Sequence, residues 1–128
     1  MEYQMIQTTT FDIYSILEFK VEEFDLIKTP KISEKMNKIL DEINYSNIIL
    51  DLQNLNYIDS MGLSTLINVS RKLNEKNSEM VVVCSTTKIL QLFNIAQIES
   101  FFKIFPSIDA ADSYFSSKGK LQDKNSKP

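Results

Sequence analysis

Asp59 and Ser60 stand side by side where an apolar run, Ile48-Ile49-Leu50, and a polar turn at Gln53-Asn54 give way to a helical pattern. A hydroxyl beside a carboxylate has two chemical uses. A base can activate it as a nucleophile, or another protein can use it as an acceptor. The chain contains no histidine, which removes Ser-His-Asp and Cys-His nucleophiles, histidine phosphotransfer and most zinc sites. A receiver-like enzyme acting through Asp59 would need an acidic cluster for Mg²⁺ at the end of its first strand. Glu22-Glu23-Asp25 is a poor candidate for that cluster, and no lysine sits in a matching place. The expectation is a protein that is not an enzyme, with no catalytic residue, metal or cofactor.

Two readings of the junction stand on the residues alone. Asp and Ser are preferred helix N-caps, each worth about 1 kcal/mol over Ala, and an acid there also suits the helix dipole. The alternative is a switch. First-turn amides and the positive helix end form an anion site, and a phosphate on Ser60 would add roughly -1.5 to -2 of charge beside Asp59. The junction also lies at the carboxyl end of a strand region, where open α/β sheets place functional sites.

The elements that must hold this junction follow from hydrophobic period. Residues 8–20 read as one or two strands, with Ile16 and Tyr14 on the face opposite Leu17, Phe19 and Val21. Glu22 to Lys28 reads as an exposed connection. Thr29-Pro30 reads as a helix start with Thr29 at the N-cap. Ile32, Met36, Ile39, Leu40 and Ile43 then form one apolar face. After Ser60 a helix to about Asn74 carries Leu63, Leu66, Ile67 and Leu73 on one side. Met80 to Cys84 is a second buried strand, and Ser85-Thr86-Thr87 offers caps for a helix with Ile89, Leu90, Leu92 and Phe93. A short strand, Phe101 to Phe105, precedes a last helix begun by Pro106-Ser107 and packed through Ile108, Ala111, Tyr114 and Phe115. Strands alternating with helices argue for α/β architecture with parallel neighbours and right-handed crossovers.

The 128 residues suit one domain with one core. Apolar residues make up 43% and charged residues 24%, ordinary for a globular chain. No apolar stretch approaches the ~20 residues of a membrane span, and the N-terminus lacks the pattern of a secretory signal. Cys84, the single cysteine, sits in the run Val81-Val82-Val83-Cys84 and reads as a buried small apolar residue. A reducing cytoplasm is the natural setting. The segment 116–128 carries four lysines against one aspartate, net +3, which leaves -6 on residues 1–115. That acidic body disfavours nucleic acid, and the basic tail, 116–128, reads as disordered. Of the two glycines only Gly62 lies in the body, and its place beside Ser60 implies close backbone approach or tight helix packing.

The stretch Ile49-Leu50-Asp51-Leu52, continuing at Leu55-Asn56-Tyr57-Ile58-Asp59-Ser60-Met61-Gly62-Leu63, closely resembles the signature of the STAS-domain family of anti-sigma factor antagonists. The similarity extends through Glu79 to Cys84, Ile89 to Ile95, Phe102 to Phe105 and Ile108 to Ala111. The resemblance implies a STAS fold for residues 1–115, a four- to five-stranded mixed sheet flanked by about four helices. It implies that Ser60 is phosphorylated by a partner that is both anti-sigma factor and serine kinase of the GHKL ATPase type. The unphosphorylated form would bind that partner and release a sigma factor; phosphorylation would block binding, and a PP2C-type phosphatase would reverse it. Asp59 is then the acidic neighbour of the acceptor, Asp25 matches an aspartate of an early motif near the same surface, and Met61, Gly62 and Ser64 belong to the partner-binding region. The resemblance also admits a scaffold or sensor subunit of a stressosome-like complex. Three positions depart from the family pattern: Glu22 stands for a usual glycine, Met61 for a common Ser or Thr, and Ser64, a rival acceptor, for a frequent Gly or Ala.

Overall fold

The computed structural model describes residues 4–126, and side chains as far as residue 118. Five strands make the main sheet in the order β1 (Ile6–Thr10), β2 (Ser15–Phe19), β4 (Ile48–Asp51), β6 (Met80–Val83) and β7 (Lys103–Phe105). β1 and β2 pair antiparallel, Ile6 facing Phe19 and Thr10 facing Ser15; every later pairing in this sheet is parallel. The helices are α1 (Thr29–Glu42), α2 (Ser60–Glu75), α3 (Thr87–Ile95) and α4 (Ile108–Ser126). Two short strands, β3 (Glu23–Phe24) and β5 (Tyr57–Ile58), form a separate parallel pair.

Alternation along the strands divides the core in two. Leu17, Phe19, Ile48, Leu50, Met80 and Val82 point to one face, where Ile32, Met36 and Leu40 of α1, Leu66 and Leu73 of α2, and Ile89 and Phe93 of α3 bury against them. Ile49, Val81 and Val83 point to the other face and meet Tyr14, Ala111 and Phe115. Strands β4 and β6 are covered on both sides, which is why their sequences are continuous apolar runs. The expected apolar faces of α1, α2 and α4, and the opposed faces of Tyr14-Ile16 and Leu17-Phe19-Val21, agree with this arrangement.

Two tyrosines fasten α4 to its sheet face. Tyr14 donates to Asp112 Oδ1 at 2.6 Å, and Tyr114 shares its hydroxyl between Glu79 Oε1 and Oε2 at 2.7 and 2.9 Å. Lys118 donates to the same Glu79 oxygen at 2.7 Å, and both Lys103 and Lys118 lie 5.8 Å from the Tyr114 ring centroid. The Lys118 pair is solvent-exposed and contributes little alone. The tyrosine bonds are part-buried and neutral-to-charged, a stronger class.

Several local expectations need correction. The connection after Glu22 contains β3, and Phe24 within it is fully buried. Thr29 is the first helical residue, not the N-cap; Lys28 holds that position without a side-chain bond. The physical reason is Asp25, whose carbonyl takes Lys28 N and Thr29 N while its carboxylate takes Ile27 N and Lys28 N, so the turn closes one residue earlier. The last strand is shorter than expected, because Ile98–Ser100 is a 3-10 turn ending at Phe101. Thr86 occupies the α3 cap position without a side-chain bond, whereas Ser107 Oγ does accept from Ala110 N at 3.1 Å. The segment 116–128, expected as a disordered tail, has its residues as far as Ser126 within α4.

The Tyr14 and Tyr114 hydroxyls are both pushed up to about 12, first by burial and then by the carboxylates they donate to. A folded-state value above the unfolded value of about 10 stabilises the fold fully below pH 10, and that stability is lost as pH rises through 12. Urea titrations should therefore show stability falling between pH 10 and 12. Tyr114→Phe should cost about 1 kcal/mol at pH 8 and flatten the alkaline fall. An unchanged alkaline slope in the double Phe variant would contradict the assignment.

Candidate functional site

The β3–β5 pair exists to place Asp59. Asn56 N and Tyr57 N donate to Glu22 O at 2.7 and 3.2 Å, and Asp59 N donates to Phe24 O at 3.1 Å. Asp59 then leaves the extended region (φ -102, ψ -176) as the N-cap of α2. Its Oδ1 accepts Met61 N at 3.1 Å and Gly62 N at 3.0 Å. Its Oδ2 accepts Leu26 N at 2.8 Å, from the loop between β3 and α1. One carboxylate thus ties the head of α2 to the loop that starts α1. Asp25 organises that loop from within by the bonds described above, and Thr29 Oγ1 adds a bond to its carbonyl at 2.7 Å.

Gly62 lies on the underside of this junction and is buried. A Cβ there would stand 2.7 Å from Ile58 Cγ1 and 2.8 Å from the Phe24 carbonyl oxygen. The first turn of α2 consequently lies directly on β3 and β5, the close approach that its position suggested. Gly62 acts on any partner surface from beneath, by setting the height of Met61 and Ser60.

Ser60 is the first residue of α2 and is exposed. Ser64 is exposed one turn later on the same flank. Met61 is 44% exposed, so it is a surface residue and not core filling. Sequence reasoning missed the other members of this surface. Leu26, Ile27 and Tyr57 are exposed, Ile27 to 85%, and each lies in the segments that hydrogen-bond or lead to Asp59. The available signal was Leu26-Ile27, two large apolar residues in a loop with no apolar period.

Two of the first-turn amides of α2 are already taken. The Met61 and Gly62 amides are spent on Asp59 Oδ1, so a phosphate on Ser60 would find a carboxylate where the bare helix end offered donors. The cap and the acceptor readings of Asp59-Ser60 therefore apply to different residues: Asp59 caps, and Ser60 is left outward. Elsewhere, Asp51 ends β4 with its carboxylate on Gln53 N at 3.0 Å, and burial, with Glu18 adding, raises its carboxyl above the usual range. Burial likewise pushes the Cys84 thiol up, consistent with an inert core residue.

Residues 6–111 match the model of the STAS domain family. The chain is 27% identical over 100 residues to an anti-sigma-B factor antagonist of Staphylococcus aureus, covering 77% of this chain and 90% of that protein. It is 26% identical over 87 residues to an anti-sigma F factor antagonist of Paenibacillus polymyxa, covering 68% and 72%. Its fold superposes on a crystal structure of an anti-sigma factor antagonist from Mycobacterium paratuberculosis with a TM-score of 0.77, at 18% identity and covering 87% of this chain and 92% of that one.

Replacing Gly62 with Ala should cost about 1–3 kcal/mol by overpacking. Asp59→Ala should cost about 1–2 kcal/mol, because it removes a cap and strands the Leu26 amide. Both losses would be measured by urea denaturation, and wild-type stability in either variant would contradict the junction described.

Proposed function

Because the chain belongs to the STAS domain family, we propose that it is an anti-sigma factor antagonist, a binding module switched by phosphorylation of Ser60. The unmodified protein binds an anti-sigma factor that is also a serine kinase of the GHKL ATPase type, and so releases a sigma factor. A PP2C-type phosphatase restores the unmodified form, and the cytoplasm is the setting. The module is assigned to residues 1–115, and α4 continues from it into the basic segment. The names of the two curated relatives support the partner class. One structural observation supports the switch: Ser60 is exposed on a capped, closely packed helix end, and the segments that adjoin or hydrogen-bond to Asp59 carry the exposed apolar residues Leu26, Ile27, Tyr57 and Met61.

In this reading the chain supplies only the acceptor. Ser60 Oγ attacks the γ-phosphorus of ATP held by the kinase, the bond to ADP breaks, and the hydroxyl proton passes to the kinase's base. Apolar neighbours make the surface one that a partner desolvates. Tyr57 and Met61 supply the amphipathic and adaptable contacts that such interfaces favour. A phosphate placed there finds the Met61 and Gly62 amides already held by Asp59. Its charge is left in the interface beside a second carboxylate, where an unpaired desolvated charge costs several kcal/mol. Asp25 contributes by fixing the loop that carries Leu26 and Ile27.

Incubation with the cognate kinase and ATP, followed by mass spectrometric mapping, should place one phosphate on Ser60 and none in Ser60→Ala. Phosphate on Ser64 alone would overturn the assignment. Ile27→Asp should weaken binding to the anti-sigma factor by roughly tenfold or more, equivalent to about 1.4 kcal/mol, with stability unchanged. Unaltered affinity would remove the loop from the binding surface.

A further inference from the structure

The two edges of the main sheet are built differently. β7 is three residues long, carries Lys103 and runs into Pro106, all features that discourage strand addition. β1 has none of them. Its five residues, Ile-Gln-Thr-Thr-Thr, contain no charge and no proline, and Gln7 to Thr10 are exposed.

The ladder shows which backbone groups of β1 are open. Phe11 N donates to Tyr14 O at 2.9 Å and Lys20 N to Met5 O at 2.7 Å. These bonds bracket the β1–β2 register, so the two-residue alternation of an antiparallel pair assigns the inward bonds to Gln7 and Thr9. The N–H and C=O groups of Ile6, Thr8 and Thr10 therefore face outward.

We propose that this edge pairs with the same edge of a second copy, antiparallel about a two-fold axis at Thr8. That axis sets Ile6 against Thr10 of the second copy and Thr8 against its counterpart, so all three outward residues find partners of the required parity. The strand is self-complementary about this axis, as a two-fold contact requires. Gln7 meets Thr9 in the intervening positions, and Thr-Thr pairing is favourable across strands. No like charges meet, although each chain carries a net charge of -3. Phe11, half exposed at the hairpin end of β1, gains the far end of the second strand as a neighbour. A contact along five residues buries well below the ~1,200 Å² of a stable interface, so the dimer is weak, with a Kd of roughly 0.1–1 mM.

Sedimentation equilibrium of the full chain, from about 10 µM to about 1 mM to span that range, tests this. The weight-average mass should climb from 14.8 kDa towards twice that value. Thr8→Pro removes an outward N–H and no β1–β2 bond, so it should stay monomeric with an unchanged circular dichroism spectrum. Thr8→Lys should do the same should the proline disturb the strand. A wild type monomeric to about 1 mM, or a dimer untouched by both Thr8→Pro and Thr8→Lys, would overturn the proposal. A wild type that stays monomeric while Thr8→Pro loses affinity for the anti-sigma factor would assign the edge to a partner's strand instead.

Discussion

The carboxylate of Asp59 accepts three backbone amides from two segments that are distant in sequence. Met61 and Gly62 belong to the first turn of α2, and Leu26 to the loop that leads into α1. Bonds to a charged acceptor are stronger than neutral ones, and the Gly62 amide, part-buried, would carry a desolvation cost if left without its partner. Beneath the carboxylate, Gly62 lets the helix settle on the Phe24 carbonyl and Ile58. Loss of either feature would free the helix head to shift relative to the loop. These two contacts fix, relative to one another, the segments that carry the exposed Leu26, Ile27, Ser60 and Met61.

That constraint also decides how a modification at Ser60 acts. A helix N-terminus with open amides would take up a phosphate and neutralise part of its charge. Here the Met61 and Gly62 amides are held by Asp59, and a phosphate on Ser60 would stand beside that carboxylate. The charge stays outward, in the part of the surface a partner has to desolvate. The switch proposed at Ser60 would then require no rearrangement of the sheet or its two cores. The fold supplies a fixed platform, and the electrostatics of one side chain change upon it.

The sequence made the large elements legible because their periods are long enough to read. The face Ile32-Met36-Ile39-Leu40 and the runs at Ile48-Ile49-Leu50 and Met80-Val81-Val82-Val83 each repeat a pattern that only one kind of burial explains. β3 and β5 were invisible for the opposite reason: two residues show no alternation, and Phe24 is flanked by acids that signal solvent. Ser60 and Asp59 could be picked out by residue type, yet the division of labour between them depended on which carboxylate oxygen met which amide. Ile27 and Tyr57 were missed because an apolar side chain looks the same in a sequence whether it is buried or exposed. Thr29 was misplaced as a cap because the competing acceptor, Asp25, lies four residues upstream, beyond the local cap pattern.

The most direct measurement is calorimetric titration of the cognate anti-sigma factor with stoichiometrically phosphorylated protein and with the unmodified protein, side by side. An uncompensated charge in a desolvated surface should weaken binding by roughly a hundredfold or more, about 3 kcal/mol. Equal affinities for the two forms would contradict a charge switch at Ser60.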